Sequence, residues 1–250
     1  MTDGLIGASF AALAVGLGYV MFILQENRTK VAYLPSRQIK QALAEAARDT
    51  HEWRIKTRTA SYFTREILPI LSQNTGSTQI RVQLMDPRVE TLLTKYAEFR
   101  SAHPDAAQWS AERVKREIHS SILLLALYSK RYPRISLDIR LNPTFWVQSL
   151  DCSGKRLFIC GQNKGDTALV FDRGNEFFEH FMDDFDASFE LAHPVTARIS
   201  GVTLDVLSGE LNSTAISSIQ AMYSNMGFTP PPPDEVAAIV IAAKNNHIYV

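Results

Sequence analysis

Two cysteines in 250 residues are too few for a disulfide framework or a thiolate metal centre. They stand at Cys152 and Cys160 with no CxxC spacing, and they fit a reducing compartment. Net charge is missing as well. The 26 Lys and Arg offset the 26 Asp and Glu, so no global field draws the chain onto nucleic acid. None of the six histidines (His51, His103, His119, His180, His193, His247) has a lysine two positions later. Basic residues are absent from Met1-Thr2-Asp3, and Phe22-Ile23-Leu24-Gln25-Glu26 is poor in small residues, which argues against a cleaved signal peptide. What remains is ordinary for a globular chain: 46% hydrophobic and 21% charged residues, enough for one sizeable core.

One long apolar run is present. Gly4 to Leu24 carries no charge, and as a helix it is about 31 Å long, close to a bilayer core of roughly 30 Å. It reads as an uncleaved single-span anchor, residues 1–24. Arg28, Lys30, Arg37 and Lys40 follow it and nothing basic precedes it, which places the rest of the chain in the cytoplasm at the inner (plasma) membrane. Ala8, Ala12 and Gly16 form a small-residue stripe that lets two such helices pack closely.

After a juxtamembrane linker and amphipathic helix (25–52), strand patterns are expected at 53–58, 79–85, 135–141 and 167–171. Helices are expected at 60–72, 88–100, about 107–131 and 175–191. Asp86 is placed to cap a helix starting at Pro87. The run Ile122 to Leu127 is apolar nearly all round and belongs at the centre of the core. A C-terminal extension, 192–250, holds a helix stopped by Gly227, a polyproline spacer and a last helix capped by Asp234.

The stretch Thr144 to Asn163 reads as a hairpin, Phe145-Trp146-Val147 leading in and Leu157-Phe158-Ile159 leading out. If Ser153-Gly154 centres its turn, Cys152 faces Lys155 and no cross-strand disulfide forms. In outline the hairpin resembles the central one of the phospholipase D superfamily, with Asp151, Gly161 and Asn163 at matching places. Thr144 stands where that family has its His nucleophile, and Trp146 where it has its Lys. The resemblance covers 53–191 and implies an α/β fold, a phospholipase D-like mixed sheet flanked by helices. To this the chain adds one N-terminal transmembrane helix and a small C-terminal helical extension. The family builds its site at the open ends of the strands. The ligand-binding candidates are therefore Thr59, Ser61, Asp86, Arg88, Asn142, Asn163 and Lys164, with Asp86 as a plain cap and Asn163 as a plain turn residue the alternative.

The degenerate positions Thr144, Trp146 and Asp151 imply no phosphodiester chemistry, because that chemistry needs the His and the Lys. The resemblance then implies a membrane-anchored sensing or effector module that binds a partner, a nucleotide or another phosphate-bearing ligand, as in bacterial signalling or antiphage defence. One half-site per chain implies a homodimer. An active nuclease or phosphodiesterase with non-standard residues, and a structural membrane adaptor, stay open as alternatives. No cofactor and no metal are expected. The i, i+4 pair His180 and Asp184 reads as part of a solvated helix face. Arg54, Lys56, Arg58 and Arg65 read either as a surface for anionic lipid or as the polar face of a strand.

Overall fold

A computed structural model describes residues 31–102, 109–161 and 165–244. The span Gly4–Leu24 with Ala8, Ala12 and Gly16, and the residues Asn163 and Lys164, lie outside the described residues. No described helix is long and apolar enough to cross a membrane.

The architecture is mixed α/β. Eight strands form one sheet: β1 (Ala32–Leu34), β2 (Glu52–Lys56), β3 (Thr78–Met85), β4 (Ile135–Asn142), β5 (Ser149–Cys152), β6 (Arg156–Cys160), β7 (Ala168–Asp172) and β8 (His193–Val195). Their order is β1-β7-β6-β5-β2-β3-β4-β8. β2, β3 and β4 are parallel, and every other pairing is antiparallel. Seven α-helices are described: α1 (Ser36–Arg48), α2 (Leu68–Leu71), α3 (Glu90–Ser101), α4 (Ala111–Arg131), α5 (Glu176–Leu191), α6 (Ser213–Asn225) and α7 (Pro233–Lys244). The sheet therefore reaches past both expected boundaries. Strand 32–34, read as connector, pairs with β7, and strand 193–195 pairs with β4. Pro194 is tolerated there because β8 is an edge strand and needs no donor on its outer side.

Alternation along the strands sorts the two faces. Trp53, Ile55, Ile80, Val82, Leu84, Ile139, Leu141 and Phe158 enter the main core with α1, α3 and α4. In α4, Val114, Ile118, Ile122 and Leu125 are buried as the periodicity predicts. The opposite face is covered by α5, whose Phe178, Met182, Phe185 and Phe189 join Leu150, Leu157, Ile159 and Phe171 in a second cluster. Where that face carries cations, α5 supplies acids. Asp186 meets Arg54 at 3.5 Å and Arg81 at 3.1 Å, and Asp184 meets Lys56 at 3.2 Å. The basic alternation of β2 is thus taken up inside the fold. The C-terminal helices pack behind α4, with Arg116 held bidentately by Glu235 at 3.0–3.1 Å.

Four local expectations shift. The lead-in Phe145-Trp146-Val147 is not a strand; β5 starts at Ser149. Pro143 has no N–H to continue the ladder, and the Asn142 carboxamide oxygen accepts from the Thr144 N–H (2.9 Å) and hydroxyl (2.6 Å), turning the chain out of β4. The hairpin turn centres one residue later than expected, on Gly154-Lys155. Cys152 pairs with Leu157, Ser149 pairs with Cys160, and both thiols are free. Asp86 does not cap a helix at Pro87. Its carboxylate accepts from the Arg88 N–H (2.9 Å) in a local turn, and α3 begins at Glu90. Likewise α4 begins at Ala111, where the Ser110 hydroxyl accepts from the Arg113 N–H. Trp109 lies outside that helix, buried beneath the guanidiniums of Arg100 (4.7 Å) and Arg113 (4.2 Å).

Candidate functional site

The parallel strands β2, β3 and β4 end on one side of the sheet, and the chain beyond β2 shapes a cavity there of about 370 Å³. Thr57 to Phe63 form much of its wall, closed by Ile39, Lys40 and Leu43 of α1, by Tyr96 and Arg100 of α3, and by Ser149, Asp151, Cys160 and Gly161 of the hairpin.

The turn from strand to helix is made at Ala60, whose φ of 56° is the left-handed conformation that a side chain resists. It is the one non-glycine residue with positive φ among the described residues. The helix that follows starts at Ser61, its Ala60 carbonyl accepting from the Thr64 N–H at 2.9 Å. Its middle, Phe63–Ile67, widens into a π turn before α2, a deformation that recurs at functional sites. The first turn of this helix, Ser61 to Phe63, lines the cavity, and a helix start carries N–H groups that have no partner within the helix. We expect Ala60→Val to cost about 2 kcal/mol or more, and Ala60→Gly to be close to neutral because lost strain offsets added chain entropy. Equilibrium unfolding of the two variants checks this.

Charge in the cavity comes from Lys40, Arg58 and Arg100. Arg58 is 6% exposed; its Nη1 donates to the Val147 carbonyl (2.8 Å) and its guanidinium sits 5.7 Å from the Tyr96 ring. Lys40 pairs with Glu66 at 3.0 Å on the rim. Beneath the helix start, the Ser61 hydroxyl donates to Glu117 Oε2 (2.9 Å) and lies 3.1 Å from the Thr59 hydroxyl. Asp151, 6% exposed, accepts from the Trp53 indole N–H at 3.3 Å. Burial raises its pKa to about 7, against the lowering pull of Trp53 and Arg58. Burial also pushes the Cys160 thiol up to about 12 and the Tyr62 phenol well above its usual range. Neither is a nucleophile at neutral pH.

Of the residues named from sequence, Thr59, Ser61 and Asp151 meet in this cavity. Asp86 and Asn142 do not line it. They sit at the ends of β3 and β4, the Asp86 N–H donating to the Asn142 carbonyl at 3.0 Å. Arg88 holds Asp86 through Nε and Nη2 and lines a different cavity. Thr144 is bound to Asn142, and Trp146 lies 5.9 Å from the Lys56 ammonium. Sequence reasoning missed Lys40, Arg100, Tyr62 and Tyr96. The single available signal was Arg58, the last basic residue before the Thr59-Ala60-Ser61 turn. No group of three or more metal-ligating side chains occurs among the described residues.

No protein-family model matches the chain, and no curated protein sequence matches it. Among solved structures it is similar to TrmBL2, an archaeal chromatin protein described as showing a novel mode of DNA binding, at 11% identity and a TM-score of 0.39. That match covers 78% of this chain and 65% of the chromatin protein. It is also similar to Nuc from Salmonella typhimurium, a phospholipase D family member, at 8% identity and a TM-score of 0.41. There the match covers 66% of this chain and 97% of Nuc. At scores this low neither neighbour carries an argument about activity.

Proposed function

We propose that the cavity beyond β2 binds a small phosphate-bearing ligand and does not turn it over. The observation that carries this reading is the convergence of a helix N-terminus at Ser61 and the buried Arg58 guanidinium on one 370 Å³ cavity. A helix start offers N–H donors and a partial positive charge, and a guanidinium matches phosphate oxygens geometrically. The Thr59 hydroxyl adds a neutral donor, while the Ser61 hydroxyl gives its proton to Glu117. Two observations support the reading without turnover. The Thr144 hydroxyl is committed to Asn142, outside the cavity, and the Cys160 thiol stays protonated. Joined to the apolar run at Gly4–Leu24, this describes a membrane-anchored sensing or effector module, with a second copy of the chain as its natural neighbour.

Calorimetric titration of the full chain with inorganic phosphate and pyrophosphate tests the reading. Saturable binding is expected, weakened about tenfold by Arg58→Gln and a few-fold by Lys40→Gln, a rim change with little effect on folding. Absence of binding, or binding indifferent to both variants, overturns it. Hydrolysis of bis(p-nitrophenyl) phosphate that disappears in Ser61→Ala would replace it with the enzyme alternative.

A further inference from the structure

The cavity beyond β2 is larger than a phosphate needs. At roughly 30 Å³ per water, its 370 Å³ equals about a dozen waters, and a phosphate group takes the place of about two or three. Much of the remaining wall is apolar. Ile39 and Leu43 lie four apart on α1, and with Ile55, Tyr62, Phe63 and Tyr96 they line the same volume. Ile55 is paired with Asp151 across the β2–β5 ladder, so this apolar wall begins beside the carboxyl. Ile39 and Cys160 stay half-buried, their side chains not closed over by the fold. Apolar surface covered by water alone adds no stability, whereas a ligand that buries it gains by doing so.

Granted that this cavity binds phosphate, we propose that its ligand is a phosphate monoester carrying a compact apolar group, in the manner of an aryl phosphate. The phosphate goes to Arg58 and the helix start at Ser61, and the apolar group covers the wall from Ile55 to α1. The rings of Tyr62, Phe63 and Tyr96 favour a flat group, since aromatic pairs gain beyond their buried area. Sugar and polyol phosphates match the anion but set hydroxyls against Ile39 and Leu43, whose aliphatic side chains cannot hydrogen-bond to them. A long acyl chain exceeds the volume and leaves most of its length in water.

Calorimetric titration of the full chain at pH 8, where each probe is mainly a dianion, compares phenyl phosphate, glycerol 2-phosphate and inorganic phosphate. Phenyl phosphate is expected to bind at least about tenfold more tightly than the other two. Arg58→Gln is expected to weaken all three by a similar factor. Ile39→Thr and Cys160→Ser put a hydroxyl on the apolar wall with little change of shape. Each is expected to weaken phenyl phosphate a few-fold and leave inorganic phosphate unchanged, and either one suffices should the other fold poorly. Equal affinity for phenyl phosphate and inorganic phosphate overturns this inference and leaves the phosphate reading standing. A gain shared by glycerol 2-phosphate overturns it as well, because size and not apolarity is then selected. A preference for phenyl phosphate that survives both wall variants puts the apolar group elsewhere and overturns the assignment. If none of the three binds, the phosphate reading itself falls, and this inference with it.

Discussion

Replacing Asp151 by Asn is expected to make the protein more stable at pH 8 and to change little at pH 4. The wild-type carboxyl has a folded pKa of about 7 against an ordinary 3.8, raised first by burial. The folded state therefore binds more protons than the unfolded state between about pH 4 and about pH 7. In that window stability falls as pH rises, by about 1.4 kcal/mol per pH unit. Below it both states are protonated, and above it both are ionised, so the dependence vanishes at each end. The full penalty is on the order of 4 kcal/mol, a large share of the roughly 5–15 kcal/mol that holds a domain together. Asn keeps an oxygen that can accept from the Trp53 indole, so the variant removes the ionisation and little else. The measurement is the unfolding free energy of both proteins in urea across pH 4 to 8. A difference between them that stays flat with pH would mean that Asp151 is already ionised in the fold.

The same titration bears on the cavity beyond β2. Protonated Asp151 adds no negative charge to a wall that also presents Arg58, Lys40 and Arg100. Once ionised, it opposes an anion there. Binding of sulfate, an anion whose charge is constant over this range, is therefore expected to weaken as pH rises through about 7, and Asp151→Asn to abolish that loss. Titrations at pH 6 and pH 8 check both statements.

Much of the fold was legible because single periodicities set it. Ile80, Val82 and Leu84 alternate as β3 requires, and α4 buries the face its sequence marks. The phenylalanines of α5 mark its sheet-facing side, with one exception. Phe177 is 44% exposed, its ring 6.0 Å from that of Phe171. The failures share a cause, namely partners remote in sequence. β1 has three residues, too few to show alternation, and exists because β7 offers it an edge. Phe145 and Val147 have strand propensity, yet Phe145 packs against Phe99 at 6.0 Å, and the Asn142-Thr144 turn directs it there. Arg54 and Lys56 resemble a lipid-facing stripe until Asp184 and Asp186 are brought over them. The cavity was half visible. Thr59, Ser61 and Asp151 flank strand ends that the sequence locates. Lys40 and Arg100 come from helices whose charged positions look solvated in isolation, and only their packing across the end of β2 aims them at a common volume.

Truncating Trp53 to Ala is expected to produce a loss comparable to the Asp151 effect, and at every pH. Trp53 is fully buried on β2, its ring stacked 6.4 Å from Phe63 at the start of the π turn. Large-to-small changes at such sites cost about 3–5 kcal/mol, since the surroundings relax only partly into the space left. A second cost is specific to this position. The indole N–H is the hydrogen bond that partly offsets the burial of Asp151, so its loss pushes that carboxyl further towards the protonated state. Trp53→Phe separates the two contributions, because it retains most of the apolar volume and removes the donor. Its loss is expected near 1 kcal/mol at pH 4, where a neutral acid loses one weak acceptor contact, and larger at pH 8, where an ionised one loses its main donor. Urea unfolding of both variants, with and without Asp151→Asn, gives the coupling directly. If Trp53→Phe costs the same at both pH values, the indole and the carboxylate are not coupled. The strand that opens the cavity would then be held by Trp53 packing alone.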